Sequence, residues 1–245
     1  TYTNEFYSGF SFQLTARTRQ DESSYLIPFL KKEGDTYTPV KDFSVSAAEL
    51  KLRYAPNEKF FQTQWNRFPV SLDAPVFTLS HTIAGKGVLG SDYTYNHTEA
   101  GIQKRFWFSA FGYTDVILKA GKVWDKVPFP LLIMPNANLS YTIQPESYSL
   151  MNAMEFMNDE YFSWDVTYFL NGYLSDKNNP ALSDGLFAFP IENTQTMGKT
   201  PYVEAGVGIE NIFKVLRLDY IWRLTYRDSP GIDRSGLRIS LHMTF

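Results

Sequence analysis

The chain contains no cysteine among its 245 residues. That single absence removes disulfide frameworks, thiol nucleophiles and cysteine-ligated zinc together. Histidine is scarce, with only His81, His97 and His242 available as imidazole bases or ligands. The formal net charge is −3 and there is no Lys/Arg cluster, so no basic field points to nucleic acid as a partner. Uninterrupted apolar runs of about 18 residues are also missing, which excludes a membrane-spanning helix. Neither an initiator methionine nor a basic and apolar leader stands at Thr1, so the chain is expected to be a mature polypeptide or a piece of one.

Aromatics are abundant instead: 20 Phe, 16 Tyr and 5 Trp make 17% of the sequence. They coexist with a mean hydropathy of only −0.27. Strict alternation reconciles the two, because strand side chains point to opposite faces with period 2 and an average hides the pattern. In SGLRISLHMTF, residues 235–245, Leu237, Ile239, Leu241, Met243 and Phe245 share one face, while Arg238, Ser240, His242 and Thr244 share the other. A terminal aromatic in register with an apolar face is unusual for a soluble domain, whose ends fray and are polar. A transmembrane β-barrel requires this division, with apolar side chains toward lipid and polar ones toward the lumen. This ending resembles the C-terminal insertion signal that the barrel-assembly machinery reads in bacterial outer-membrane proteins, which makes Leu237, Ile239, Leu241, Met243 and Phe245 the expected assembly signal.

The pattern recurs upstream. Leu216, Leu218, Tyr220, Trp222, Leu224 and Tyr226 oppose Arg217, Asp219, Arg223 and Thr225, and a turn-rich RDSPGIDRSG joins this stretch to the last one as a hairpin. Val203, Ala205, Val207 and Ile209 alternate with Glu204, Gly206, Gly208 and Glu210, predicting three consecutive antiparallel strands. Phe162, Trp164, Val166, Tyr168 and Leu170 form a further stripe, as do Ile102, Phe106 and Phe108 against His97, Glu99, Gln103 and Arg105. Segments 110–123, 10–16, 48–54 and 77–83 add noisier ones, for nine or ten strands. Residues 125–136 hold prolines that argue against a central strand. Residues 145–160 place Leu150, Met151, Met154 and Met157 at helical spacing and predict a short helix or a loop at the rim or inside the lumen, its methionines a packing face.

Several of these stretches resemble a known family: residues 100–152, then MEFMNDEYFSWDVTYFLNGYL, then GKTPYVEAGVGIENIFKVLRLDYIWRLTYRDSP. They look like the C-terminal barrel of a Bacteroidota outer-membrane family of unknown function, whose members join an N-terminal carboxypeptidase-regulatory-like domain to the barrel. The last hairpin, with IENIFKVLRLDYIWRL, is similar to the closing strands of Omp85-type barrels, although no Arg-Gly loop motif of that superfamily is visible. The resemblance implies an all-β antiparallel transmembrane β-barrel over 1–245, incomplete in this chain: a preceding periplasmic domain is absent and residues are missing near 174–175. It implies a multi-pass protein of the cell outer membrane of a Gram-negative bacterium.

Catalytic readings are weak. Ser240 and His242 share a strand face, but no orienting acid or strained nucleophile turn lies nearby. His97 and Glu99 are two metal ligands short of a site, and DKNNP lacks the spacing and closing Glu of a calcium loop. No cofactor or metal is expected. Arg217, Asp219, Arg223, Arg238 and His242 are the expected lumen-facing polar residues, with opposite charges pairing across the interior, and Asp115, Lys119 and Asp165 join them. The favoured expectation is a non-enzymatic barrel that anchors or scaffolds a larger outer-membrane complex, such as an accessory subunit of barrel or surface-lipoprotein assembly. A diffusion channel or transporter is the alternative, and a lipid-acting enzyme built on His242 a third reading. Expected partners are outer-membrane lipid and lipopolysaccharide, the barrel-assembly machinery and other envelope proteins.

Overall fold

The computed structural model describes residues 1–23, 29–33, 36–62, 67–69, 73–144, 146–152, 154–169, 180–188, 201–213, 215–228 and 232–241. The chain is all-β, with no α-helix among these residues. Its strands are β1 (Tyr2–Glu5), β2 (Phe10–Glu22), β3 (Phe29–Glu33), β4 (Thr36–Val40), β5 (Asp42–Tyr54), β6 (Phe60–Gln62), β7 (Arg67–Pro69), β8 (Val76–Ala84), β9 (Tyr95–Trp107), β10 (Tyr113–Val123), β11 (Glu160–Phe169), β12 (Pro180–Ala188), β13 (Tyr202–Ile212), β14 (Leu216–Arg223) and β15 (Ser235–Leu241). Eleven of them form one sheet in the order β1-β2-β5-β8-β9-β10-β11-β12-β13-β14-β15, and β3-β4 and β6-β7 are separate two-stranded hairpins inserted into the connections. Every strand-to-strand ladder is antiparallel. The three C-terminal strands pair consecutively, as their alternation predicted. The surplus over nine or ten comes from segments without an apolar stripe: the short β1, the two small hairpins, and β12, which opens on Pro180 and contains Gly185.

Exposure along the strands is inverted relative to a water-soluble sheet. In β14, Tyr220 and Trp222 are 42% and 41% exposed, whereas Asp219 and Arg223 on either side of them are 3% and 1% exposed. Leu14, Leu50, Phe77, Leu79, Ile102, Phe106, Phe162, Trp164, Val207, Ile209, Leu237, Ile239 and Leu241 are likewise exposed. Register sets them side by side: Leu52 opposes Leu79, Phe77 opposes Ile102, Ile209 opposes Leu218, and Leu218 opposes Ile239. The result, within β2–β5–β8–β9 and within β13–β14–β15, is an apolar band on one face of a kind that soluble monomers rarely leave uncovered.

The opposite face is covered by the connection between β10 and β11, residues 124–159. Its ends meet, since Lys122 opposes Glu160 and the Val123 amide donates to the Asp159 carbonyl at 2.6 Å. Its described residues form a 3-10 turn at Phe129–Leu131 and isolated bridges at Ile133–Asn158, Ala137–Tyr148 and Thr142–Ile239. Of the two forms predicted for 145–160, the structure adopts the loop. The backbone there is engaged elsewhere: the Asn138 and Tyr148 amides donate to the carbonyls of Tyr148 and Asn136, and Met154 has φ 58°. The short connections at 6–9, 108–112 and 213–215 all fall at one end of the sheet, and the connections 23–41, 85–94, 124–159 and 224–234 at the other. Exposed aromatics gather at the first end: Phe6, Tyr7, Trp107, Phe108, Phe111 and Phe213.

Candidate functional site

The covered face carries charge because the residues opposite the apolar band include Arg, Asp, Glu and Lys, and each needs a partner once it is taken from water. Arg217 donates to Asp219 at 2.9 and 3.0 Å and to Glu210 at 2.6 Å, and its guanidinium lies 5.9 Å from the Phe169 ring centre. Gly208 stands opposite Asp219 in the ladder. A β-carbon there would lie 1.8 Å from Asp219 Oδ1, so the carboxylate occupies space that only glycine leaves free. Arg105 and Asp115 form a bidentate pair with both bonds at 2.6 Å, stacked on Tyr113. Lys119 pairs with Glu146 of the loop, and Asp165 accepts from the Thr167 hydroxyl at 3.2 Å.

A second group of charges holds the loop by its main chain. Glu204 of β13, 4% exposed, accepts the amides of Ser149 at 2.8 Å and Leu150 at 2.7 Å, and the Tyr202 hydroxyl at 2.5 Å. Arg223 of β14 donates to the Leu150 carbonyl at 3.3 Å and forms a two-point pair with Glu155. Arg238 of β15 donates to the Ser149 carbonyl, and to the Asn138 carbonyl at 3.5 Å. Further along, the Ile143 amide donates to the Ile239 carbonyl at 3.0 Å and the Ile239 amide to the Tyr141 carbonyl at 2.9 Å, a short parallel bridge on β15.

Apolar contacts fix the loop at two points. Tyr148, Met151 and Phe156 pack on Tyr202, with Tyr148 and Tyr202 edge to face at 5.2 Å between ring centres. Leu131 packs with Phe43, Val45 and Ala84 near the far side of the sheet. Burial pushes the Tyr148 phenol above its ordinary pKa, and the carboxylates of Glu204 and Asp165 add to the shift. Between loop and sheet remain cavities of about 380, 350 and 220 Å³ that meet at Ile117 and Glu146.

His97 and Glu99 both face inward; Glu99 accepts the Tyr161 hydroxyl at 2.8 Å. Among the described residues no group of three or more His, Asp or Glu could hold a metal ion. A family model matches residues 11–209, the C-terminal domain of a family of unknown function, DUF5686. The chain belongs to this family. No curated protein matches it.

The structure of this DUF5686 domain places Arg217, Asp219, Arg223 and Arg238 together on the covered face, but not in one network. Arg217 and Asp219 pair with each other and Glu210, whereas Arg223 and Arg238 reach the loop. Leu237, Ile239 and Leu241 lie on the exposed apolar face. His242, Met243 and Phe245, together with residues 174–175 and most of DKNNP, lie outside the described residues. The residues that sequence reasoning missed are Glu204, Tyr202 and Glu155. Glu204 was visible as a carboxylate on the polar side of β13, but its partners are main-chain amides distant in sequence. Glu155 sits in a segment with no strand periodicity.

Proposed function

We propose that this domain is an outer-membrane β-barrel that anchors or scaffolds a larger envelope complex and whose interior is filled by its own loop. The observation that carries the reading is the inversion of the sheet, with Trp222, Tyr220, Leu79 and Ile239 bare while Arg223 and Asp219 are enclosed. Hydrocarbon outside and paired charge inside account for that arrangement, and the aromatics at the sheet's end fit an interfacial girdle. β2, β5 and β9 have 13 residues each, more than the roughly 9 to 11 that a tilted spanning strand needs.

Curling of the sheet supports closure between its β1 and β15 sides. Arg19 of β2 donates to the Pro130 carbonyl, while Tyr141 and Ile143 pair with Ile239 of β15. In a flat sheet β2 and β15 would stand roughly 43 Å apart at about 4.8 Å per strand, a span that residues 130–141 and the Arg19 side chain together would cover only close to full extension. The loop that bridges them is bent and contains a turn. An accessory role in barrel or surface-lipoprotein assembly rests on the likeness of the closing hairpin to Omp85-type strands. A diffusion channel is favoured only by the cavities between loop and wall.

The test is purification of the tagged native protein from outer membranes in mild detergent, with mass spectrometry of the eluate, then reconstitution into vesicles and planar bilayers. The scaffold reading expects flotation with vesicles, stoichiometric envelope proteins in the eluate and electrically silent bilayers. Steady conductance from a protein that elutes alone would replace it with the channel reading. Failure to float would overturn both.

A further inference from the structure

The Ser149–Leu150 dipeptide has all four of its main-chain polar groups taken by charged side chains of three adjacent strands. Both amides go to Glu204, the Ser149 carbonyl to Arg238 and the Leu150 carbonyl to Arg223. None of these bonds depends on the identity of the dipeptide's side chains. The side-chain contacts add a size rule: Gly236 of β15 leaves room for Leu150, since a β-carbon there would lie 3.0 Å from Leu150 Cδ2, and Met151 enters the Tyr148, Phe156 and Tyr202 cluster. A short distance away the same loop uses main-chain bonds again, at Ile239. The clamp also has capacity its present occupant does not use, because the buried Arg238 Nε has no hydrogen-bond partner among the described residues. Extended peptides bound through main-chain hydrogen bonds, with pockets for selected side chains, are a recurring mode of recognition.

We propose that the inner wall of β13, β14 and β15 is a receptor for an extended polypeptide, occupied in this structure by the chain's own Ser149–Leu150, and that a partner segment with a small residue followed by two apolar ones exchanges into it. Glu204 reads the paired amides, Arg223 and Arg238 read the carbonyls, and Gly236 admits the first apolar side chain. The loop then acts as a tethered competitor, whose effective concentration keeps the site closed to weak ligands. The proposal deepens the scaffold reading and rests on it for the origin of the partner.

The probe is a fluorescein-labelled hexapeptide with the sequence of residues 147–152, titrated by fluorescence polarisation against the full chain in neutral detergent micelles. Ser149→Pro in the protein removes one amide that Glu204 accepts and loosens the loop. It is expected to tighten peptide binding at least about tenfold relative to wild type by weakening the tethered competitor. Adding Glu204→Gln is expected to abolish that gain, and a probe with proline at the Ser149 position is expected to bind more weakly. Heat-modifiable electrophoretic mobility reports that each variant is folded. A folded Ser149→Pro variant that takes up no probe, or takes it up equally with Glu204→Gln, overturns the proposal. No bilayer is needed for this measurement, so its failure is separable from failure to float with vesicles.

Discussion

At the scale of single residues, the enclosed charges of β13 and β14 depend on where side chains are absent. Asp219 can approach β13 and meet Arg217 because position 208 has no β-carbon. Gly208→Ala therefore forces the carboxylate out of its place and leaves a covered guanidinium with one partner fewer. We expect it to destabilise the folded chain by about 3 kcal/mol, read as a lower urea midpoint for unfolding from micelles. Pairing it with Asp219→Ser should recover part of the loss, since the two positions share one contact and their effects will not add.

At the scale of elements, the strands were legible and the loop was not. Alternation in residues 202–210, 216–223 and 235–241 located three strands and their faces, because a period of 2 is a local property that one sequence displays. The loop's conformation is set by Glu204, Arg223 and Arg238, far from it along the chain, so the helical spacing of Leu150, Met151, Met154 and Met157 gave no means of choosing between helix and loop. For the same reason the inward side of Arg223 was readable and its bond to Glu155 was not. The loop also carries a pH signature. Tyr148 is buried and its phenol is raised above the ordinary value of 10.0, so its contribution is fully present below pH 10. As pH climbs past that value the unfolded chain releases the proton while the folded chain retains it, and stability falls. The thermal midpoint of wild type is expected to drop above pH 10, and that of Tyr148→Phe to drop less.

At the scale of the whole molecule, the apolar band makes stability a property of the solvent outside it. Leu79 lies between Leu52 and Ala100 on neighbouring strands, within that band. Leu79→Arg is expected to cost about 2–4 kcal/mol in bilayer folding measurements if the band meets hydrocarbon near the midplane. Thr78→Arg, one residue away on the covered face, would serve as a comparison that leaves the apolar band unchanged. Equal folding of wild type and Leu79→Arg in vesicles would argue for an outer face wetted by water. The joined ends of residues 124–159 have one more consequence. Because Lys122 already faces Glu160 in ladder register, the whole connection could be excised or exchanged without shifting a strand. The β10–β11 ladder is therefore indifferent to the length of what connects it, so an insertion or deletion there alters what packs on the covered face before it alters the sheet.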